Sequence, residues 1–326
     1  MRTIGLTMRM GLCVVLLFAV IYALLAVIAT FYGAGTPLVY AALAFVLVVI
    51  QFFIGPKIVE RTMRVRYVSE AEQPELHRMV GELAMKAGIP KPRVGISEIA
   101  IPNAFAFGTS KKTARVCITK RLMEMLSWDE IEAVLGHELS HIKHRDMVVI
   151  TALSVIPMIC YFIYFSFFWS GLFGGGGRNR DGALPMMAIA LIAFVVYFIS
   201  NLIVLYASRV REYYADAGSA ELTKKPHELA SALYKMVYGS ASTKSEKVVK
   251  EMGSMRAFFA ADPMTARGDL KDLSAADLNR DGKIDEYELR MFAERANASR
   301  AERVMELFST HPNPVSRVKR LGTYLY

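Results

Sequence analysis

The sequence predicts a mainly α-helical polytopic membrane protein with four transmembrane helices and a small β-sheet. Hydrophobic residues make up 54% of its 326 residues, and the mean hydropathy is positive. Four apolar stretches account for this composition, and each is about long enough to cross the hydrocarbon core of a bilayer. The stretches run roughly from Met10 to Phe31, Leu38 to Gly55, Met147 to Phe173 and Leu184 to Ala207.

Basic residues near the ends of these stretches predict their orientation. Arg2 and Arg9 precede the first stretch, four basic residues follow the second, and Arg209 and Arg211 follow the fourth. Because basic residues collect on the cytoplasmic side, both termini and both large polar regions are expected to face the cytoplasm. The loop "GGGGRNRDG" is a mild exception. The chain is therefore predicted to be a multi-pass protein of the cell (inner or plasma) membrane.

The charge balance predicts a lipid neighbour and no nucleic acid. A net charge of +9 suits a surface close to anionic lipid. No basic stripe interleaved with aromatic residues is present, so nucleic-acid binding is not expected. The three cysteines form no CxxC pattern, which excludes a cysteine zinc site.

The polar region between the second and third stretches predicts both helices and strands. "PELHRMVGELAMKAG" has apolar residues at helical spacing and ends at Gly88, a natural helix C-cap. "PRVGISEI", "IPNAFAFGTSKK" and "ARVCITK" predict three short strands. Ser127 and Glu130 form a capping box at the start of another helix. The buried stripe predicted for that helix comprises Ile131, Val134, Leu135, Leu139 and Ile142.

The same helix carries a candidate zinc motif. "VLGHELSHIKHRD" places His137 and His141 four residues apart, with Glu138 directly after the first histidine. Residues at this spacing lie one turn apart on the same helix face, so both imidazoles can bind one ion. The HExxH pattern is typical of zinc metalloproteases, in which the glutamate acts on a water molecule. A surface helix with solvated histidines is the alternative that the motif alone leaves open.

A catalytic zinc ion needs a third protein ligand. Glu212 is favoured over His144, His227 and His311, because Asp216 follows it by four residues on the same helix face. There Asp216 can accept the N–H of a ligand histidine and fix the tautomer of that ring. His144 is expected to cap the end of the helix, and His227 follows a proline in a loop.

Four motifs together resemble the HtpX branch of membrane zinc metalloproteases, relatives of the CAAX prenyl proteases. They are "AVLGHELSHIKHRD", "SRVREYYADAGSA", "IPNAFAFG" and "THPNP", and hydrophobic stretches flank them. The resemblance implies a gluzincin-type catalytic domain whose site faces the cytoplasm at the membrane surface. It also implies His137, His141 and Glu212 as the zinc ligands and Glu138 as the catalytic glutamate.

The resemblance implies further site residues. Asn103, Ala104 and Phe105 would begin an edge strand that aligns the backbone of the substrate. The oxyanion needs a further hydrogen-bond donor, and His311, in the His-Pro position, and Arg317 resemble residues that approach the site in this group. The alternatives for these two are a residue at a helix start and a surface charge.

The implied function is a zinc endopeptidase that cleaves membrane or misfolded proteins, with a role in membrane protein quality control. Zinc would polarise the scissile carbonyl and activate a water molecule, from which Glu138 would take a proton. A proteolytically silent scaffold or calcium-sensing adaptor is one alternative, which the intact Glu138 disfavours. A metal-ion transporter is another, disfavoured because every candidate ligand lies outside the predicted spans.

The predicted domain order alternates membrane and catalytic segments. Residues 1–55 would hold two transmembrane helices and residues 56–146 the first part of the catalytic domain. Residues 147–207 would form a transmembrane hairpin, and residues 208–326 the second part of the catalytic domain. An insert at 266–295 lies within that last segment.

The insert departs from the family pattern, because its segment "DLNRDGKIDEYE" matches the calcium loop of an EF-hand. Gly282 is at position 6, where the sharp turn of such a loop requires glycine. Calcium is therefore predicted as a second cofactor. A solvated acidic turn is the alternative, since the sequence contains no second loop to pair with it. The predicted ligands are Asp277, Asn279, Asp281, the Lys283 carbonyl, Asp285 and Glu288.

Overall fold

The structure is a computed structural model, and its described part is mainly helical with one small mixed sheet. It describes residues 53–173, 183–241, 266–295, 306–307 and 309–325. The chain divides into two compact units, described separately below. The apolar unit is Met1–Ile54 with Val148–Val210, and the polar unit is Gly55–Met147 with Arg211–Tyr326.

The elements are labelled in chain order. The strands are β1 (Val65–Tyr67), β2 (Arg93–Ser97), β3 (Ala104–Phe107) and β4 (Arg115–Thr119). The helices are α1 (Pro74–Ala87), α2 (Lys120–Met125), α3 (Trp128–His144), α4 (Asp146–Phe173), α5 (Ala183–Thr223), α6 (Pro226–Ala241), α7 (Ala266–Leu273), α8 (Glu286–Arg295) and α9 (Pro314–Leu321). A helical segment at 53–62 and the 3₁₀ turns Lys111–Thr113 and Gly322–Tyr324 complete the described elements.

The four strands form one sheet in the order β1-β2-β4-β3. β2 runs parallel to β4, whereas β1 and β3 are antiparallel to their neighbours. The three strands predicted from the sequence are present. β1 was not predicted, because three residues are too few to show an alternating pattern. Among the described residues β3 pairs only with β4, so it is an edge strand of the sheet.

Helix α3 carries the HExxH motif and is central to the polar unit. The predicted capping box is present, with Ser127 and Glu130 each bonded to the backbone of the other. All five residues of the predicted buried stripe are 4% exposed or less, and α3 packs against α1, α6, β3 and β4. The predicted helix at Pro74–Ala87 is also confirmed, with Gly88 at its C-cap in the left-handed conformation (φ 66°).

Helices α3 and α5 approach each other closely through small residues. Ser219 Oγ of α5 donates a hydrogen bond of 2.6 Å to the Ala133 carbonyl of α3. Ser140 Oγ bonds within α3, at 2.9 Å from the Gly136 carbonyl. A Cβ atom added at Gly218 would lie 2.8 Å from Ser140 Cβ, which is much closer than carbon atoms normally pack. The close approach therefore requires glycine at this position of α5.

Helix α6 is bonded to the start of α3 through the buried Glu130. This carboxylate accepts hydrogen bonds from Ser231 Oγ (2.6 Å) and Lys235 Nζ (2.9 Å). The prediction that His227 lies in a loop is wrong, because it is the second residue of α6. Proline at the first position of a helix, as at Pro226, is favourable because its missing N–H has no helical partner there.

In the apolar unit, α4 and α5 share a buried cluster that includes Ile156, Cys160 and Ile189. Among the described residues, one helical segment, Pro185–Thr223, is long and apolar enough to cross a membrane. The third predicted span contains a shorter apolar helix, Ile156–Trp169. The first predicted span and nearly all of the second lie outside the described residues.

Candidate metal centre

The fold brings His137 and His141 of α3 together with Glu212 of α5. All three are buried, and each offers one ligand atom within 4.8 Å of the others. Within the described ranges, no other group of three histidine, cysteine or acidic side chains meets this spacing. The third ligand favoured by the sequence is thus the one that the structure places beside the two histidines, and His144 and His227 are not in this group.

The distances within this group suit a tetrahedral zinc ion. The Nε2 atoms of His137 and His141 are 3.1 Å apart. The Glu212 carboxylate oxygens lie 3.5 Å from Nε2 of His137 and 3.6 Å from Nε2 of His141. Ligands at the usual 2.0–2.1 Å from zinc are about 3.3 Å apart in a tetrahedron. Two imidazoles and one carboxylate also match the ligand set of catalytic zinc sites.

The His137 ring is oriented by the aspartate that the sequence analysis selected. Asp216 Oδ1 lies 3.0 Å from His137 Nδ1, and Asp216 is fully buried. A carboxylate at this position accepts the Nδ1–H of the ring, so that Nε2 faces the metal position. Burial alone would lower the pKa of His137, but its hydrogen bonds with Asp216 and Glu212 raise that pKa to about 9.

Arg317 lies behind this aspartate. Its Nη2 and Nε atoms are 2.6 Å and 3.0 Å from the two carboxylate oxygens of Asp216, and the side chain is 1% exposed. Its Nη1 atom is 3.4 Å from Glu212 Oε2. The predicted alternative of a surface charge is therefore wrong for Arg317. The guanidinium contacts one candidate ligand, Glu212, and holds the aspartate that orients another.

His311 also reaches the centre. Its Nδ1 atom is 3.3 Å from Glu212 Oε2, and its side chain is 21% exposed. His311 precedes α9, the helix that carries Arg317. The structure thus brings both His311 and Arg317 to the carboxylate of Glu212.

Glu138 directly follows His137 on α3, a helix that packs against β3 and β4. Its side chain is buried. The pKa of the Cys117 thiol on β4 is raised to about 12, first by burial, then by Glu60, with a further contribution from Glu138. The predicted general base thus lies on the helix that packs against the sheet.

The predicted substrate strand is β3, at the edge of the described sheet. Ala104 and Phe105 belong to β3, and Asn103 directly precedes it. The side chains of all three are buried, whereas β3 has a described strand neighbour on one side only. Any partner that contacts this strand would therefore meet its backbone and not these side chains.

The EF-hand-like segment forms a compact loop between α7 and α8. Gly282 has a φ of +83°, as a sharp turn at position 6 requires. The carboxylate of Asp277 accepts hydrogen bonds from the amides of Asp281 and Gly282, and that of Glu288 accepts three from the amides of Leu278, Asn279 and Asp285. Since the acidic side chains bond to loop amides and do not form a metal-binding group, calcium binding stays a prediction.

Two residues of the centre were not foreseen from the sequence. Asp146, the first residue of α4, lies with Oδ2 2.6 Å from His141 Nδ1, and Arg211 Nε lies 3.3 Å from the same oxygen. Burial opposes ionisation of Asp146, but the hydrogen bond with His141 and the charge of Arg211 hold the pKa of its carboxyl below the usual range. The available signals were the aspartate closing "HIKHRD" and the arginine directly before Glu212.

A buried His-His-Glu group on an HExxH helix, beside a mixed sheet, defines the protein as a metalloprotease. The sequence profile of Peptidase family M48 matches residues 70–325. The chain belongs to this family, and the resemblance to its HtpX branch is confirmed by the relatives below.

Two curated relatives cover most of the chain. A "Protease HtpX homolog" of Methanothermobacter thermautotrophicus is 55% identical over 237 residues, which cover 73% of this chain and 88% of that relative. A "Protease HtpX homolog" of Moorella thermoacetica is 37% identical over 322 residues, 97% of this chain and 93% of that relative.

The fold is also similar to a solved structure. The crystal structure of S. mikatae Ste24p superimposes with a TM-score of 0.52 and 15% identity, covering 98% of this chain and 67% of that one. At this identity the similarity shows a shared fold only.

Proposed function

We propose that this protein is a zinc-dependent endopeptidase whose ion is held by His137, His141 and Glu212. The observation that carries the proposal is the convergence of these three ligand atoms at spacings near those of a zinc tetrahedron. The neighbouring Glu138 supplies the group that a peptidase needs in addition to a metal site. A scaffold without catalytic activity would need neither.

The chemistry divides among a few side chains. A zinc ion in this site would polarise the scissile carbonyl and make a water molecule more acidic. Glu138 takes a proton from the attacking water and passes it to the leaving amine. His311, which lies beside Glu212, donates a hydrogen bond to the oxygen that gains negative charge. Arg317 holds Asp216 and Glu212 in place, since its Nε and Nη2 atoms contact Asp216 and its Nη1 atom contacts Glu212.

The substrate is proposed to bind as an extended strand along β3. An edge strand offers unpaired backbone groups, and a peptide that pairs with them is held by its own main chain. Ala104 and Phe105 would supply these backbone contacts. Asn103, whose backbone N–H and carbonyl are both bonded to Thr119, would fix the start of the strand. Recognition through the main chain places little restriction on substrate side chains, and this suits a protease that acts on misfolded or membrane proteins. Accumulation of such proteins in cells that lack the enzyme would test the proposed role in quality control.

The protein is proposed to be a four-span membrane protein with the catalytic domain in the cytoplasm. Support comes from the four apolar stretches, the distribution of basic residues and the helix Pro185–Thr223. The proposed order is spans at 1–55 and 147–207 and catalytic segments at 56–146 and 208–326. Labelling of single engineered cysteines from either side of sealed vesicles would contradict this topology if the two catalytic segments faced opposite sides.

Calcium is proposed as a second ligand, bound by the loop 277–288. The twelve-residue pattern and the left-handed Gly282 support the proposal. Asp277, Asn279, Asp281 and Asp285 would supply side-chain ligands, Lys283 its carbonyl and Glu288 both carboxylate oxygens.

Replacement of Glu212 tests the proposed zinc site. Glu212→Ala should lose bound zinc together with peptidase activity, because a catalytic zinc ion requires three protein ligands. His227→Ala is the matched control, since it removes a histidine that the sequence offered as a ligand but that lies outside the ligand group. Zinc content is measured by mass spectrometry of the purified proteins. One zinc per chain in Glu212→Ala would show that another residue is the ligand.

A further inference from the structure

Each of the two candidate ligand histidines contacts an aspartate, and that aspartate in turn contacts an arginine. His137 contacts Asp216, which contacts Arg317, as described above. His141 contacts Asp146 at 2.6 Å, and Asp146 lies 3.3 Å from Arg211. These contacts join residues from different elements, since Asp146 begins α4 and Arg211 lies on α5.

We propose that Asp146 and Arg211 are positioning residues of the metal centre, which hold His141 with Nδ1 protonated and Nε2 aimed at the ion. The inference rests on the proposed zinc site. Neither residue is needed for the HExxH pattern, and neither contacts the ligand atoms themselves. Their effect on the reaction would pass entirely through the ring of His141.

The contacts of the His141 ring indicate which of its two nitrogens holds the proton. A neutral imidazole has one N–H and one lone pair, so the partner of one nitrogen decides the role of the other. Nδ1 of His141 faces a carboxylate oxygen of Asp146. An ionised carboxylate accepts hydrogen bonds and cannot donate them. Nδ1 must then donate, and the lone pair is left on Nε2, the atom that faces His137 and Glu212.

Burial explains why the arginine is required. Asp146 is 4% exposed, and an ionised carboxylate removed from water is costly unless charged or hydrogen-bonding groups surround it. The His141 N–H and the Arg211 guanidinium supply these groups on the same oxygen. Arg211 also directly precedes Glu212, so one short part of α5 provides both a ligand and the counter-charge that orients another.

Zinc affinity of the full-length protein in detergent tests the proposal. Asp146→Ala should weaken zinc binding about 10–100-fold in competition with a chelator, the usual cost of losing a group that orients a ligand. Asp146→Asn retains an oxygen that accepts the Nδ1–H and should recover part of this loss. Asp129→Ala, an exposed aspartate on the same helix as His141, is the matched control and should bind zinc like the wild type.

A double-mutant cycle separates positioning from general damage. Arg211→Gln and Asp146→Asn should each weaken zinc binding, and the double variant should lose less than the product of the two effects, because the residues act through one contact. Zinc affinity equal to wild type in Asp146→Ala would overturn the proposal. So would a loss in Asp146→Ala with no recovery in Asp146→Asn and independent effects in the cycle. Failure of the wild type itself to bind zinc would instead overturn the proposed function.

Discussion

At the scale of single residues, the buried pair of Arg317 and Asp216 explains how His137 is held. The guanidinium forms two contacts with one carboxylate and a third with Glu212, and such bidentate pairs fix geometry as well as charge. A bond of this kind across 101 positions of sequence joins α9 to α5. The C-terminal helix is therefore part of the metal centre although it offers no metal ligand of its own.

Arg317→Met should be strongly destabilising. The change leaves two buried carboxylates with one fewer cation, and breaking a buried ion pair costs about 3–5 kcal/mol. The double variant Arg317→Met/Asp216→Leu should regain most of this stability but not the zinc affinity, because an apolar pair can pack without orienting His137.

Denaturant unfolding of the metal-free protein in detergent measures these effects. Arg78→Met is the control, since Arg78 pairs with Glu75 and Glu82 on an exposed surface, where such pairs contribute about 0–1 kcal/mol. A loss in Arg317→Met no larger than that of the control would show that the buried pair does not stabilise the centre.

Spacing along a helix predicted some of these residues and missed others. His137, Glu138 and His141 could be found because the helical period places residues four apart on one face. The same rule connected Asp216 to Glu212. Asp146 could not be found in this way, because it lies beyond the end of α3 and its partner Arg211 belongs to a different helix. Contacts between elements depend on tertiary packing, which local periodicity does not contain.

At the scale of elements, the small residues between α3 and α5 set the distance between the two parts of the ligand group. His137 and His141 are adjacent in sequence to Gly136 and Ser140, and Gly218 follows Asp216 by two residues. Larger side chains here would push the helices apart and move Glu212 away from the histidines. The close approach that requires glycine also brings the ligands within reach of one ion.

Gly218→Ala should therefore reduce activity about 10–100-fold, since displacement of a reacting group by about 1 Å can cost 100-fold. The new Cβ would lie 2.8 Å from Ser140 Cβ and closer still to Ser140 Oγ, so one helix must shift. Adding Ser140→Gly removes both contacting atoms and should restore zinc affinity and peptidase activity.

Gly81→Ala in α1 is the control, because its added Cβ meets only the flexible end of Lys91 at 3.8 Å. Zinc affinity and the rate of casein cleavage are measured for all variants. Wild-type values for Gly218→Ala, or no recovery in the double variant, would contradict the proposed link between helix spacing and ligand geometry.

The elements themselves were more predictable than their arrangement. Capping residues, a glycine C-cap and buried stripes are local signals, and the helices α1 and α3 follow them closely. The order of the sheet was not predictable, because the parallel pairing of β2 with β4 leaves β3 at the edge although it lies between them in sequence. The proline before His227 suggests a loop, whereas Pro226 is the first residue of a helix.

At the scale of the whole molecule, packed helices of the polar unit connect the insert to the metal centre. The loop 277–288 leads into α8, which packs against α9, the helix that carries Arg317. Asp277 of the loop and Tyr234 of α6 also line the same cavity, so the loop lies close to α6. A ligand that orders the loop is therefore expected to stabilise the region around Arg317 as well.

Calcium should raise the thermal unfolding midpoint in a concentration-dependent way, with a dissociation constant of about 10⁻⁵–10⁻³ M for an unpaired loop. Glu288→Gln, which loses the bidentate ligand, should remove this effect and retain zinc. Glu286→Gln is the matched control, because Glu286 lies two residues earlier with its side chain 61% exposed and is not at a ligand position. Calorimetry that detects no calcium binding at millimolar concentration would leave only an acidic turn.

The proposed reaction requires Glu138 to act as the base beside a zinc ion held by His137, His141 and Glu212. The most direct test measures zinc content and casein cleavage in the same purified preparations of wild type and Glu138→Gln. Glu132→Gln, on the same helix, is the control. The wild type and both variants should hold one zinc per chain, and only Glu138→Gln should lose activity, by about 10²–10⁴-fold or more. Cleavage by Glu138→Gln at close to the wild-type rate, with zinc bound, would contradict the role of Glu138 as the base.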